Sequence, residues 1–451
     1  MDLIEKAKES ADEAPIETVL SPFNRFIRYE ASSGILLCFV TVIALLWANS
    51  PFSESYSALW QTPLVVGIGE AVLEKPLIKW INDGLMALFF FVVGLEIKRE
   101  ILVGELSKPR QMVLPLAAAF GGMLVPAGLY LSFNYGHPGE TGWGIPMATD
   151  IAFALGILAL LGNRIPLGLK VFLVGFTIVD DLGSILIIAV FYSDHIVLPP
   201  LIVAGVSFLC LFGANRLGAR HPLVYAVLGI GGVWLAFLLS GIHATIAGVL
   251  VALTIPAEAK IHRSEFTQKI ETFLGVFKQE DAPQTPVLSN EKQAEAAEAV
   301  KISGELVQSP LQRLENILGP WVAFMVMPLF ALANAGIEIK GDFIEVISQP
   351  VPIGIMAGLL LGKQIGVTFF TWIAVRMGMG TLPEGVTWRQ IYGVGWLGGI
   401  GFTMSIFITN LAFQDANLIA AGKAGILLAS LMAGLGGWLI LRNSKPINYT
   451  N

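Results

Sequence analysis

Only two cysteines occur in this chain, Cys38 and Cys210, and both fall inside apolar runs. That excludes a disulfide framework and a cysteine-ligated metal; each reads as a small apolar residue, and no redox chemistry is indicated. Charge is scarce too, at 14% of 451 residues against 55% hydrophobic. With a mean hydropathy of +0.70, this is not the composition of a soluble globule. The net charge of −6 reflects an acidic N-terminal stretch and one long loop, so it says nothing of nucleic acid, and none is expected as a partner. No cleavable signal is expected: residues 1–20 are acidic where a signal peptide is basic, and the first apolar run already has spanning length.

What is present instead is a succession of long apolar runs. A helical span needs about 20 mostly apolar residues. On that scale twelve candidates fall near residues 32–49, 82–98, 112–134, 143–162, 168–192, 198–215, 222–239, 241–256, 317–335, 352–376, 390–412 and 420–441. The expected fold is an all-α polytopic membrane protein of twelve helices, with membrane lipid as its surroundings. It begins with an N-terminal arm, 1–31, and ends in a tail, 442–451. Spans one to eight cover 32–256 and spans nine to twelve 317–441; between them, 257–316 is a loop insertion. Two short helices joined by a Pro-rich linker at Ala282–Pro286 suit that insertion, either as a regulatory or partner element or as a tolerated surface addition.

With both termini placed inside, 23 of the 28 basic residues lie on the cytoplasmic side, four on the other side, and Lys363 alone within a span. Merging the seventh and eighth spans at Ser240-Gly241 would scramble this positive-inside pattern, so both termini are expected in the cytoplasm.

Three carboxylates stand against the apolar background: Asp150 in the fourth span, Asp180 and Asp181 in the fifth. A charge at the bilayer centre costs roughly 2.5–3.5 kcal/mol on insertion scales, and ion or proton transport is a common reason to keep one. The fourth span is interrupted at Gly144–Asp150 and the eleventh at Trp396–Thr403, which includes Gly398, Gly399 and Gly401. Unwound backbone at membrane depth is tolerated only where protein or a water-filled cavity surrounds it. Each interruption sits in the middle of a group of three spans, so a repeat of that odd-numbered unit must be inverted. Paired breaks of this kind point to a transporter's central site.

The residues of several stretches resemble those of the NhaA-type sodium/proton antiporters: Phe89–Glu100 (FFFVVGLEIKRE), Ala148–Gly162 (ATDIAFALGILALLG), Thr177–Ser184 (TIVDDLGS), Ser240–Gly248 (SGIHATIAG), Pro328–Gly336 (PLFALANAG), Leu360–Gln364 (LLGKQ) and Gly398–Ile408 (GGIGFTMSIFI). The resemblance implies an electrogenic, pH-dependent antiporter of the bacterial inner membrane, without a cofactor. It exports sodium or lithium against protons by alternating access, and a hairpin within residues 52–79 joins two protomers as a homodimer.

Physically, Asp180 and Asp181 are the best candidates for binding the cation. Neighbours on a helix point about 100° apart, so both stay within reach of one partly dehydrated ion. Sodium favours oxygen ligands, by analogy with other hard cations. Burial and mutual repulsion disfavour two ionised carboxylates, so protons and sodium compete for the same oxygens. Asp150 and Thr149 are further candidate ligands. Thr149 and Thr403, one in each break, either offer oxygens to the ion or cap helix halves. Lys363 needs a counter-charge; by resemblance it lies near Asp180. Asp150 would then offset the positive N-terminal helix ends and Lys363 the negative C-terminal ends, unless Lys363 itself carries a transported proton.

By resemblance, Glu96, Arg99, Glu100 and Glu315 match positions tied to pH activation, although Asn316 and Gly319 replace two histidines of well-known members. His243 is read either as a hydrogen-bonded packing residue or as part of the pH response. The alternatives fit less well. An intramembrane aspartyl protease needs its aspartates on different helices. A sodium/organic-anion symporter of similar architecture calls for a roomier, less acidic centre, and a channel needs no proton coupling. A transporter, not an enzyme, is expected.

Overall fold

The computed structural model describes residues 32–69, 71–104, 107–193, 196–279, 291–338 and 343–444. The N-terminal arm, the Pro-rich linker, His195, Lys340 and all but the start of the tail lie outside them. The described residues are mostly helical, with one two-stranded sheet among them.

The chain begins with α1 (Ser32–Ala48) and α2 (Ser53–Gln61), then the hairpin β1 (Pro63–Ile68) and β2 (Ala71–Pro76). Next come α3 (Met86–Leu102), α4 (Pro109–Asn134), α5 (Ile151–Leu161), α6 (Leu167–Phe191), α7 (Leu198–Arg216), α8 (Pro222–Ser240) and α9 (Thr245–Thr254). After the insertion helices α10 (Arg263–Gln279) and α11 (Glu291–Val307) stand α12 (Pro310–Asn334), α13 (Pro350–Arg376), α14 (Trp388–Gly398), α15 (Phe402–Ala412) and α16 (Ala416–Arg442). Among the described residues eight helices are long and apolar enough to cross a membrane, or up to ten if each of two bent pairs is one span.

In α1 the buried residues Gly34, Leu37, Thr41, Ala44 and Ala48 recur every three or four positions, while Phe39 and Leu46 are 62% and 68% exposed. A helix in water would turn polar residues outward. Small residues inside and large apolar ones outside suit hydrocarbon, where close packing selects the buried face.

Several boundaries differ from the hydropathy reading. Helix begins before α3 at Leu77, passes through a π-helical turn at Ile81–Leu85 and ends at Leu102, beyond both limits of the expected 82–98. The eighth expected span, 241–256, holds only the ten residues of α9 as helix. Gly241 adopts φ +83°, a left-handed end that stops α8 and keeps it separate from α9. In the hairpin, Pro63 pairs with Pro76 and Ile68 with Ala71, and Gly69 at φ +62° opens the turn.

The described residues fall into two compact units. One comprises the residues up to Ile78, Pro109–Ser184, and those from Ala323 on; the other comprises Lys79–Lys108 and Ile185–Val322. In the first, α4 and α13 meet backbone to backbone: a Cβ added at Gly366 would lie 2.6 Å from the Gly121 carbonyl carbon, and one at Gly362 2.7 Å from Pro126 Cα. In the second, Leu95, Leu211, Tyr225, Phe237 and Val251 belong to one core, and Gly94 of α3 rests on Val249 and Ala252 of α9.

Gly366→Ala is therefore expected to push α4 and α13 apart and cost about 1–3 kcal/mol. Thermal unfolding of the detergent-solubilised protein checks this against Gly128→Ala, where nothing lies within 4 Å of the added carbon.

Candidate ion-binding site

The first interruption is tighter than expected from Gly144–Asp150. Glu140–Met147 form a 3-10 helix, Ala148 and Asp150 are extended, and α5 starts at Ile151. Pro146 lacks the N–H that a regular helix would use, so this half is short and wound differently. The second interruption lies between the end of α14 at Gly398 and the start of α15 at Phe402, with a 44° bend. Polar bonds stitch the two breaks together. The Asp150 N–H donates to the Ile400 carbonyl (2.6 Å), and the Thr149 hydroxyl donates to the Gly398 carbonyl (2.8 Å).

Four helix ends thus meet, each carrying about half a unit of charge. Asp150 serves both N-terminal ends. Its Oδ1 accepts from the Phe153 N–H of α5 (3.3 Å), and its Oδ2 accepts from the Thr403 N–H of α15 (3.1 Å) and from the Thr403 hydroxyl. Lys363 serves the C-terminal ends. Its ammonium donates to the Met147 carbonyl, where the 3-10 helix stops, and to the Thr149 hydroxyl (3.0 Å), which passes the interaction to Gly398 at the end of α14.

The same ammonium donates to both oxygens of Asp180 at 2.9 Å, with both side chains fully buried. It also lies 5.5 Å from the centre of the Phe176 ring. Asp181 is buried beside Asp180 and close enough to act electrostatically on Lys363. Thr149, Asp180 and Lys363 therefore form one constellation; Asp150 and Thr403 form the other. Among the described residues, no group of three or more His, Cys, Asp and Glu gathers as a ready metal cage. A cation at Asp180 must draw on hydroxyls, carbonyls or water as well.

The second unit brings together a different set. Arg99 pairs with Glu100 (2.9 Å) and with Glu315 of α12 (3.2 Å), and Glu96 feels all three electrostatically. His243 precedes α9, and its Nε2 bonds to the Tyr192 carbonyl, which fits a packing residue.

Some residues of these sites were given no role from the sequence. The Ser405 hydroxyl donates to the Ile145 carbonyl (2.8 Å), and Ser430 accepts from the Phe402 N–H (3.1 Å), so both satisfy backbone freed by the breaks. Lys98 donates to the Leu253 and Ile255 carbonyls (2.7 and 2.5 Å) and Asn215 to the Thr254 carbonyl (2.5 Å), capping short α9. A polar residue in or at the edge of an apolar run was the available signal.

Interrupted apolar helices crossing around buried, oppositely charged side chains define a membrane transporter of small ions. Comparison with known proteins is specific about which: residues 24–441 match the model of the family Na+/H+ antiporter 1, and the chain belongs to that family. It is 53% identical over 428 residues to the Na(+)/H(+) antiporter NhaA of Oleidesulfovibrio alaskensis, covering 95% of each chain. It is also 48% identical to the NhaA of Koribacter versatilis, over 95% of this chain and 92% of that one. A third relative, the Na(+)/H(+) antiporter NhaA 2 of Syntrophotalea carbinolica, is 47% identical over 94% of this chain and 97% of its own length.

Thr403→Val removes a hydroxyl from a buried carboxylate that caps two helices. It is expected to lower stability by about 1–3 kcal/mol, read as a fall in melting temperature, with Thr403→Ser close to the parent.

Proposed function

We propose that this chain is a multi-pass sodium/proton antiporter, a secondary active transporter in which one set of buried oxygens takes either protons or sodium. The observation that carries the reading is the fully buried Lys363–Asp180 ion pair at the crossing of the interrupted helices. Removing one member of such a pair leaves an uncompensated charge, typically worth about 3–5 kcal/mol. An arriving cation that replaces the ammonium at Asp180 meets that demand.

Asp180 and Asp181 receive the sodium, with Thr149 alongside and Asp150 adding negative charge to the same field. When the cation leaves, protons return to the carboxylates. Exchange of two protons for one monovalent ion moves net charge, worth about 2.3 kcal/mol per charge per 100 mV, and so makes the cycle electrogenic. Lithium, equally hard, uses the same route. Lys363 retains the Met147 carbonyl and the Thr149 hydroxyl when Asp180 turns to sodium, so its role is to neutralise helix ends.

The setting belongs to the same proposal. Twelve spans in the bacterial inner membrane, with both termini cytoplasmic, contain two inverted groups of three around the breaks, and 257–316 is a cytoplasmic insertion. Glu96, Arg99, Glu100 and Glu315 set the pH response, His243 packs through its bond to the Tyr192 carbonyl, and the hairpin β1–β2 joins two protomers.

Everted vesicles test this reading. Asp180→Asn and Asp181→Asn are each expected to reduce sodium-driven alkalinisation to the level of vesicles without the protein; activity surviving both would refute the assignment. In the parent, the apparent KM for sodium should fall as pH rises, roughly tenfold per unit for each proton displaced, because deprotonated oxygens bind the ion. Lys363→Gln should lower thermal stability yet retain electrogenic exchange. Complete loss of exchange in a folded variant would make the amine a proton carrier instead.

A further inference from the structure

The stripe of α6 that carries the two carboxylates continues one turn further, to Ser184. At about 100° per residue, Ser184 lies about 40° around the helix from Asp180 and about 60° from Asp181, hence between them, and about 4.5–6 Å along the axis. The Cα–Cβ bond of a helical residue tilts toward the N-terminus, so this hydroxyl is carried back toward the carboxylates.

Two observations separate Ser184 from an ordinary helical serine. It is 1% exposed, and its Oγ has no hydrogen-bond partner among the described residues. Three other buried hydroxyls on these helices bond to the carbonyl four residues back, Thr177 to Leu173 (3.0 Å), Thr371 to Val367 (2.6 Å) and Thr409 to Ser405 (2.7 Å), and buried Ser405 donates to the Ile145 carbonyl (2.8 Å). A buried hydroxyl left unpaired is costly, and its persistence calls for an occupant that satisfies it. Its helical neighbour Gly183 brings no competing side chain, and Met123 fills the space there.

We propose that Ser184 is a neutral oxygen ligand of the transported cation and biases the site toward sodium over lithium. The inference rests on the reading that Asp180 and Asp181 receive the ion. A neutral ligand adds coordination without adding charge, so it leaves the proton count of the exchange unchanged. The smaller lithium ion is satisfied by fewer oxygens than sodium, as magnesium takes fewer than calcium. Loss of one oxygen therefore penalises sodium more.

The test measures exchange by the full-length protein in proteoliposomes, with sodium and with lithium, for the parent, Ser184→Ala, Ser184→Thr and Asp181→Asn. Ser184→Ala is expected to raise the sodium KM about fivefold, the equivalent of one net neutral contact. Its maximal rate and its lithium KM should stay within about twofold of the parent, and Ser184→Thr should restore the sodium KM. An unchanged sodium KM in Ser184→Ala, or an equal shift for the two ions, overturns the proposal, as does loss of rate without a selectivity change. Undiminished exchange by Asp181→Asn would instead sink the underlying assignment of the carboxylates, whatever Ser184→Ala does.

Discussion

Four helix ends brought together in an apolar interior must be neutralised, and the first unit is arranged around that requirement. Two N-terminal ends share Asp150 and two C-terminal ends share Lys363. Each threonine of the breaks extends its charged partner: Thr403 reinforces Asp150, and Thr149 relays Lys363 to Gly398. Because Lys363 also holds Asp180, the same cation that balances the helix ends balances the carboxylate assigned to transport. The neutralisation of the helix ends and the carboxylate proposed to receive the ion thereby share one ammonium group.

Lys363 reaches that position because α13 lies unusually close to its neighbours. Gly366 meets Gly121, Gly362 meets Pro126, and Gly395 of α14 lies against the backbone of Gln364. A π-helical turn, Gly358–Gly362, ends immediately before Lys363. Such a turn rotates the C-terminal half of its helix away from the direction a regular helix would give it, and turns of this kind recur at functional sites. Small residues thus set the depth of the ammonium and the extra backbone residue sets its direction.

The second unit uses charge differently. Arg99 gathers the largely buried Glu100 and Glu315, and neighbouring Lys98 caps α9 through backbone carbonyls. Consecutive residues of α3 therefore divide two tasks, one electrostatic and one structural. Residues 316 and 319, next to this cluster on α12, are Asn and Gly, so neither position places an imidazole beside it.

Apolar run lengths, the basic-residue bias and the TIVDDLGS and GGIGFTMS stretches were enough to read a polytopic helical protein with an acidic centre, because a charge or a helix breaker within hydrocarbon is conspicuous in one dimension. The separation of α8 from α9 at Ser240-Gly241 was legible for a different reason, the distribution of basic residues in the flanking loops. The sequence could not show that α9 spans only ten residues, that helix begins at Leu77, ahead of the expected start at 82, or that Ser405 and Ser430 serve freed backbone. Those facts depend on which chain segment lies opposite. Local composition determines that Lys363 and Asp180 each need a partner; only the crossing of helices distant in sequence decides that they find each other, since the energy of a buried charge depends on its neighbours in space.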